Sequence, residues 1–197
     1  MAISLDTPVP LTKLDAVNVV LRARGISPTG ALGEGARPTA REAEDTLGTA
    51  LLGVLTGDWH FNKQQRLTLT PDANKEIGLP VNLLSFVPTY VSMDRSLTQN
   101  GTRLFDMDKG SFKFDGPVHL EATFGMGFEE LPQPIRWYVA LYAAFQYANQ
   151  QTPGDASMRP SAEQLAAAHS IAQSFDAKLR PRNLRRNPHF QRMRRNR

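Results

Sequence analysis

The sequence predicts an α+β fold: a bundle of about four helices, interrupted in mid-chain by a β-rich insertion. Three observations carry this. Residues 11–56 and 134–179 space their apolar side chains at helical intervals. Residues 58–131 are short, often alternating segments broken by Pro, Gly and Asn. The order helix, helix, strands, helix, helix segregates the two kinds of element, which argues against an alternating parallel sheet.

Residues 1–10 carry two prolines and no periodicity and read as an extended arm. The first helix is expected near 11–25, with Leu14, Val17, Val20 and Leu21 on one face, Gly25 as its stop and Pro28 beyond it. Residues 26–38, with three Gly and two Pro, form a loop. Thr39-Ala-Arg-Glu42 spells a capping box for a second helix near 39–56, whose buried face is Ala43, Leu47, Ala50, Leu51 and Val54. Strand candidates follow at Leu67–Thr70, Phe86–Val91, Arg103–Asp106, Phe112–Phe114 and Val118–Phe124, with turns at Asn100-Gly101, Lys109-Gly110 and Asp115-Gly116. Pro134 suits the start of a third helix near 134–150. That helix is apolar nearly all round: Ile135, Tyr138, Val139, Tyr142 and Phe145 on one stripe, Trp137, Leu141 and Ala144 on another. Such a helix is buried or faces a partner on its second side. Ser161-Ala-Glu-Gln164 caps a fourth helix near 161–179, with Leu165, Ala168, Ala172, Phe175 and Leu179 as its stripe.

The chain of 197 residues is long enough for one domain with a proper core. The net charge of +4 conceals a split: nine Lys or Arg and no acid lie from Ala177 onward, leaving 14 basic and 19 acidic side chains before it. We therefore expect one folded domain over 1–180 and a basic C-terminal arm over 181–197. No run approaches the ~20 apolar residues of a membrane span. No secretory signal is visible at the start, so assembly in a cytoplasm is expected.

Catalytic patterns are sparse. The chain has no cysteine, so no thiolate metal site, disulfide or cysteine nucleophile. Gly30, Gly33 and Gly35 follow a helix and lack the Lys-Ser/Thr of a phosphate loop, and Gly125-Met-Gly127 lacks the third glycine of a dinucleotide fingerprint. His60, His119, His169 and His189 show no metal-ligand spacing. Asp58 with His60, or the neighbours Glu129 and Glu130, are the remaining acid/base candidates; Asp58 and His60 flank Trp59 and Phe61, which read as packing residues. No cofactor and no catalytic set is expected.

Several local patterns, in order, are similar to one family. They are Leu14-Asp-Ala-Val-Asn-Val-Val-Leu-Arg-Ala-Arg-Gly-Ile-Ser-Pro28, Gly57-Asp-Trp-His-Phe-Asn62, Leu69-Thr-Pro-Asp72, Ile77-Gly-Leu-Pro80, Leu104-Phe-Asp106 and Phe128-Glu-Glu-Leu-Pro132. The chain resembles the tail tubular protein A, or head-to-tail adaptor, family of short-tailed bacteriophages over roughly residues 11–150. The family pattern reads Gly-Trp-x-Phe-Asn, and here Asp58 is inserted after Gly57. The last forty residues match poorly.

The resemblance implies a structural virion protein, assembled in the host cytoplasm and carried in the tail. It implies a twelve-fold homo-oligomeric ring below the capsid portal, offering a platform for the nozzle protein (tail tubular protein B) and the tail fibre, with genomic DNA passing through its lumen and no membrane partner. A closed ring needs two different sticky flanks per subunit. Trp137, Tyr138, Leu141 and Tyr142 are the interface candidates, since aromatics are enriched at interface hot spots; the alternative is that they are core. The loops around Ser92–Thr102 and Met107–Gly116, with Arg95, Asn100, Arg103, Asp108 and Lys109, are candidates for nozzle or fibre docking. An acidic body suits a channel wall that does not grip sliding DNA. The arm residues Arg180, Arg182, Arg185, Arg186, Arg192, Arg194, Arg195 and Arg197 suit an acidic groove of the portal or DNA phosphates, portal docking being preferred because an adaptor needs an anchor; a solvated tail is the plain alternative. Two other classes stand beside the adaptor: a small nucleic-acid-binding protein using the Arg-rich end, and a tail-associated glycan hydrolase using Asp58, Glu129 or Glu130.

Overall fold

The computed structural model describes residues 9–89, 91–92, 94–150 and 160–179. It is an α+β fold, with helices α1 (Lys13–Arg22), α2 (Pro38–Leu55), α3 (Gln133–Asn149) and α4 (Ala162–Leu179) and strands β1 (Lys63–Leu69), β2 (Leu83–Pro88), β3 (Leu97–Asn100), β4 (Arg103–Asp106) and β5 (Val118–Phe124).

Local chemistry sets the helix ends. α1 opens on a capping box that the sequence reading passed over: the Asp15 N–H donates to Thr12 Oγ1 at 3.2 Å, and Asp15 Oδ2 accepts the Thr12 N–H at 3.3 Å. It closes at Gly25, whose φ of +67° lets the Ile26 N–H reach back to the Leu21 carbonyl at 3.1 Å. The expected Thr39–Glu42 box does not form. α2 starts one residue earlier on Pro38, with Arg37 as N-cap and no side-chain cap bond. Proline's fixed φ and missing N–H preorganise that first position, so Thr39 is already helical. Glu42 instead accepts the buried Tyr147 hydroxyl at 3.2 Å. The second expected box does form: the Ser161 N–H donates to Gln164 Oε1 and the Gln164 N–H to Ser161 Oγ, at 2.9 and 3.1 Å.

The main sheet has the order β1-β5-β2, all antiparallel. β5 is the central strand, and its inward residues Val118, Leu120 and Ala122 pair with Leu69, Leu67 and Phe86. β3 and β4 form a separate hairpin closed through Gly101 at φ +62°. Three strand expectations shift. The strand expected at Leu67–Thr70 starts four residues earlier and runs from Lys63 to Leu69, paired along β5. The strand expected at Phe86–Val91 runs from Leu83 to Pro88, since Pro88 has no N–H to continue a ladder and the chain turns at Ser92, whose N–H bonds Thr89. Phe112–Phe114 is no strand. Ser111 and Lys113 make single bridges to Asp106 and Glu76, and Phe112 packs on Phe105 at 4.9 Å between ring centres.

The apolar residues form two cores. The first joins α1, α2 and α3 through Val17, Val20, Leu21, Leu47, Ile135, Val139 and Tyr147. The second lies under the sheet: Ile77, Leu79, Leu83, Leu104, Phe114, Val118, Leu120 and Ala122. Asn62 stitches them. Its Nδ2 donates to the Leu55 carbonyl at the end of α2 and to the Phe124 carbonyl at the end of β5, at 2.8 and 3.1 Å, while the Phe124 N–H returns to the Asn62 carbonyl at 2.9 Å.

Candidate assembly surfaces

The turn after α2 builds an aromatic cluster against α3 and α4. Trp59 is 7% exposed and donates its indole N–H to the Val54 carbonyl at 2.7 Å. Its ring meets Phe61, Tyr138 and His169 at 6.0, 6.2 and 6.0 Å. Tyr138 in turn lies 4.9 Å from His169 and stacks on Tyr142 at 6.1 Å. Burial, and then the neighbouring Tyr142, push the Tyr138 hydroxyl above its ordinary pKa. The four interface candidates on α3 thus divide. Tyr138 and Tyr142 are half-buried in this cluster, Leu141 is 9% exposed, and Trp137 is 40% exposed. Trp137 therefore offers the most surface to a neighbour.

The five docking candidates group at the hairpin. Arg103 donates to Glu76 Oε2 at 2.7 Å and lies over the Phe112 ring at 4.3 Å. The Lys113 ammonium reaches the other Glu76 oxygen at 3.3 Å, and the two cations hold the Glu76 carboxyl below its ordinary value. Asp108 accepts the Ser96 N–H at 2.7 Å, which lowers its pKa. The buried Asp106 folds this turn, its Oδ1 accepting the Asp108 and Lys109 N–H groups at 3.1 and 3.0 Å. Asp115 bonds Lys75 at 3.0 Å and feels Lys109 and Arg95 beyond it, so these cations share one corner of the β part. Asn100 is exposed at the hairpin tip, opposite Arg103.

The acid/base candidates are engaged in structure. Asp58 pairs with Lys63. Glu129 accepts the Lys13 N–H at 2.8 Å and pairs with Arg136 at 3.2 Å. Glu130 accepts the Gly127 N–H at 2.6 Å, closing a short 3₁₀ turn. No group of three or more His, Asp or Glu placed to hold a metal occurs among the described residues. Arg180, Arg182, Arg185, Arg186, Arg192, Arg194, Arg195 and Arg197, like His189, lie outside the described residues.

Two comparisons bear on these surfaces. A family model described as tail tubular protein matches residues 14–181, which spans all four helices and both sheets. The chain is also similar to "Tail tubular protein A" of Klebsiella phage KP34, with 27% identity over 82% of this chain and 84% of that protein. The chain belongs to the tail tubular protein family. It is a structural protein of the phage tail.

Family membership gives the motif residues a physical meaning. Within Gly57–Asn62, Trp59 closes the α2 turn, Asn62 joins the two cores, and Asp58 reaches Lys63 at the start of β1. Phe128–Pro132 is a clamp: Arg136 donates to the carbonyls of Glu129, Leu131 and Leu11, the latter two at 2.7 and 2.9 Å, fastening residue 11 beside the α3 N-terminus. The sequence reading missed Arg136 and Asp176. Asp176 had a readable signal, because it stands four residues past Ala172 and eight past Ala168 on a stripe of buried small residues.

No helix among the described residues is long and apolar enough to cross a membrane, and the family places the chain in the virion tail as part of an assembly with other tail proteins.

Proposed function

We propose that this chain is the ring-forming adaptor between the capsid portal and the tail nozzle, and that the ring forms part of the channel through which DNA leaves. The family match over residues 14–181 carries this reading. Three features of the molecule support it. Trp137 leaves an aromatic surface uncovered on α3, the element that otherwise forms the centre of the bundle. Tyr138 and Tyr142 beside it supply the packed background that a hot spot needs. The hairpin carries Arg95, Asn100, Arg103, Asp108 and Lys109 on a part of the fold with its own core, so a partner docked there need not disturb the helices.

The basic residues 181–197 anchor the ring to an acidic portal surface. The chain before Ala177 has a balance of −5, so cationic attraction is concentrated at one end. The test compares the full chain with a truncation ending at residue 180 in a pull-down on purified portal. Loss of capture by the truncation, with its circular dichroism unchanged, is the expected result; equal capture overturns the anchoring role. Retention of the full chain, but not of the truncation, on duplex DNA, with neither retained on portal, favours the nucleic-acid reading.

A further inference from the structure

We propose that Asp176 is a latch that holds α4 onto the Gly57–Asn62 turn, so that the last helix, and with it the root of the basic segment, is a separately releasable unit. Asp176 is a carboxylate only 3% exposed, on a helix whose other buried residues are Ala168 and Ala172. Its Oδ1 accepts two backbone bonds from across the molecule, from the His60 N–H at 2.7 Å and the Phe61 N–H at 3.0 Å. Its Oδ2 lies 3.5 Å from His60 Nδ1, ion-pair distance when that imidazole is protonated. α4 packs chiefly on α3, and Ile171 and Leu179 remain exposed along it. Its non-polar attachment is small, Ala168 and Ala172 with half-buried Leu165 and Phe175 and the His169 ring against Trp59 and Tyr138, and one buried charge supplies the hydrogen bonds that tie it to the turn.

The receptor is built without α4. Trp59 bonds Val54, Asn62 bonds Leu55 and Phe124, and Gly57 bonds Val54, all within residues 54–124. The turn therefore keeps its shape when α4 leaves, and its two amides then meet water. If Asp176 is lost while α4 stays docked, those amides are buried without an acceptor, which is the costly state. The favourable response is release of α4 alone, a local opening below the global one. Asp176 also sits three residues before Leu179, the last described residue.

Hydrogen exchange by mass spectrometry on the full chain tests the latch, comparing wild type, Asp176→Ala, Asp176→Asn and the exposed control Glu163→Ala. In Asp176→Ala, peptides covering 162–179 should exchange about 10- to 100-fold faster while α1, α2, α3 and the sheet keep wild-type rates. Asp176→Asn keeps one oxygen for the two amides and should fall between Ala and wild type, and Glu163→Ala should match wild type. Unchanged protection of 162–179 in Asp176→Ala overturns the proposal, because apolar packing then suffices. Simultaneous loss of protection in all helices overturns it too, because α4 is then part of the cooperative core. None of these outcomes depends on whether the chain binds portal.

Discussion

Two glycines four residues apart should respond to alanine in opposite directions. Gly53 is exposed inside α2, and a Cβ added there meets nothing within 4 Å. Alanine there removes a flexible residue from a helix and should stabilise by about 0.5–1 kcal/mol. Gly57 is in the turn, where a Cβ would stand 2.9 Å from Trp59 Nε1 and 3.0 Å from the Val54 carbonyl oxygen. Those two atoms are the donor and acceptor of one 2.7 Å bond, so the methyl group wedges into its flank. Val54 belongs to helix backbone and cannot yield, so the indole must retreat about 0.5 Å to reach a 3.4 Å contact. The indole is also the hub of the Phe61, Tyr138 and His169 contacts. A weakened buried hydrogen bond and an overpacked cluster together should cost about 2–3 kcal/mol. At about 2–4 °C per kcal/mol for a chain of this size, Gly57→Ala should lower Tm by about 4–12 °C and Gly53→Ala raise it by about 1–4 °C. Thermal melts followed by far-ultraviolet circular dichroism read both. A Gly57→Ala protein that melts at or above wild type would refute the argument, since it would show that the turn has room.

Leu104→Ala empties a fully buried site in the β core and should cost about 2–5 kcal/mol in urea denaturation. Arg136→Ala removes the bonds to Leu11, Leu131 and Glu129; it should destabilise by about 2–3 kcal/mol and expose the segment near residue 11 to limited proteolysis. The Glu44 carboxyl is held below 4.5, first by the Lys13 ammonium at 2.5 Å and then by the Gly33 N–H. Its folded value is depressed, so its contribution is complete above the unfolded value and is lost as pH falls through the folded one. Glu44→Gln should therefore flatten the loss of stability below pH 4.5 while leaving the alkaline limb unchanged. Lys63 moves the other way, raised above 10.5 by Asp58 first and then by Glu121. Its contribution is present below that pH and is lost as pH rises through the folded value, so Lys63→Met should flatten the alkaline limb alone.

The helices were legible because their burial follows a period of 3.6 residues. Val17, Val20 and Leu21 in α1, and Ala43, Leu47, Ala50 and Val54 in α2, are buried where the pattern places them. Helix starts were read less well because two local signals competed at Pro38-Thr39, and the proline set the start. Thr12-Lys-Leu-Asp15 was missed since Asp stands where a capping box usually has Glu or Gln. Strand Leu97–Asn100 has no β-branched run and forms because β4 returns directly against it. Three of the contacts that tie distant parts of the chain together join residues more than a hundred positions apart: His60 with Asp176, Lys13 with Glu129 and Arg136 with Leu11. No local spacing encodes such pairs. Glu129 was an acid/base candidate only by its adjacency to Glu130, and its bonds to the Lys13 N–H and Arg136 brace the first turn of α1.

The most direct test of the adaptor reading is the symmetry of what this chain builds. Purified full-length chain would be mixed with its portal, imaged by electron microscopy and averaged down the ring axis. Closed twelve-fold rings seated on the portal are expected, with Trp137 at the contact between neighbouring subunits. Portal rings that stay bare while the chain remains monomeric, or chain that assembles only on duplex DNA, would contradict it.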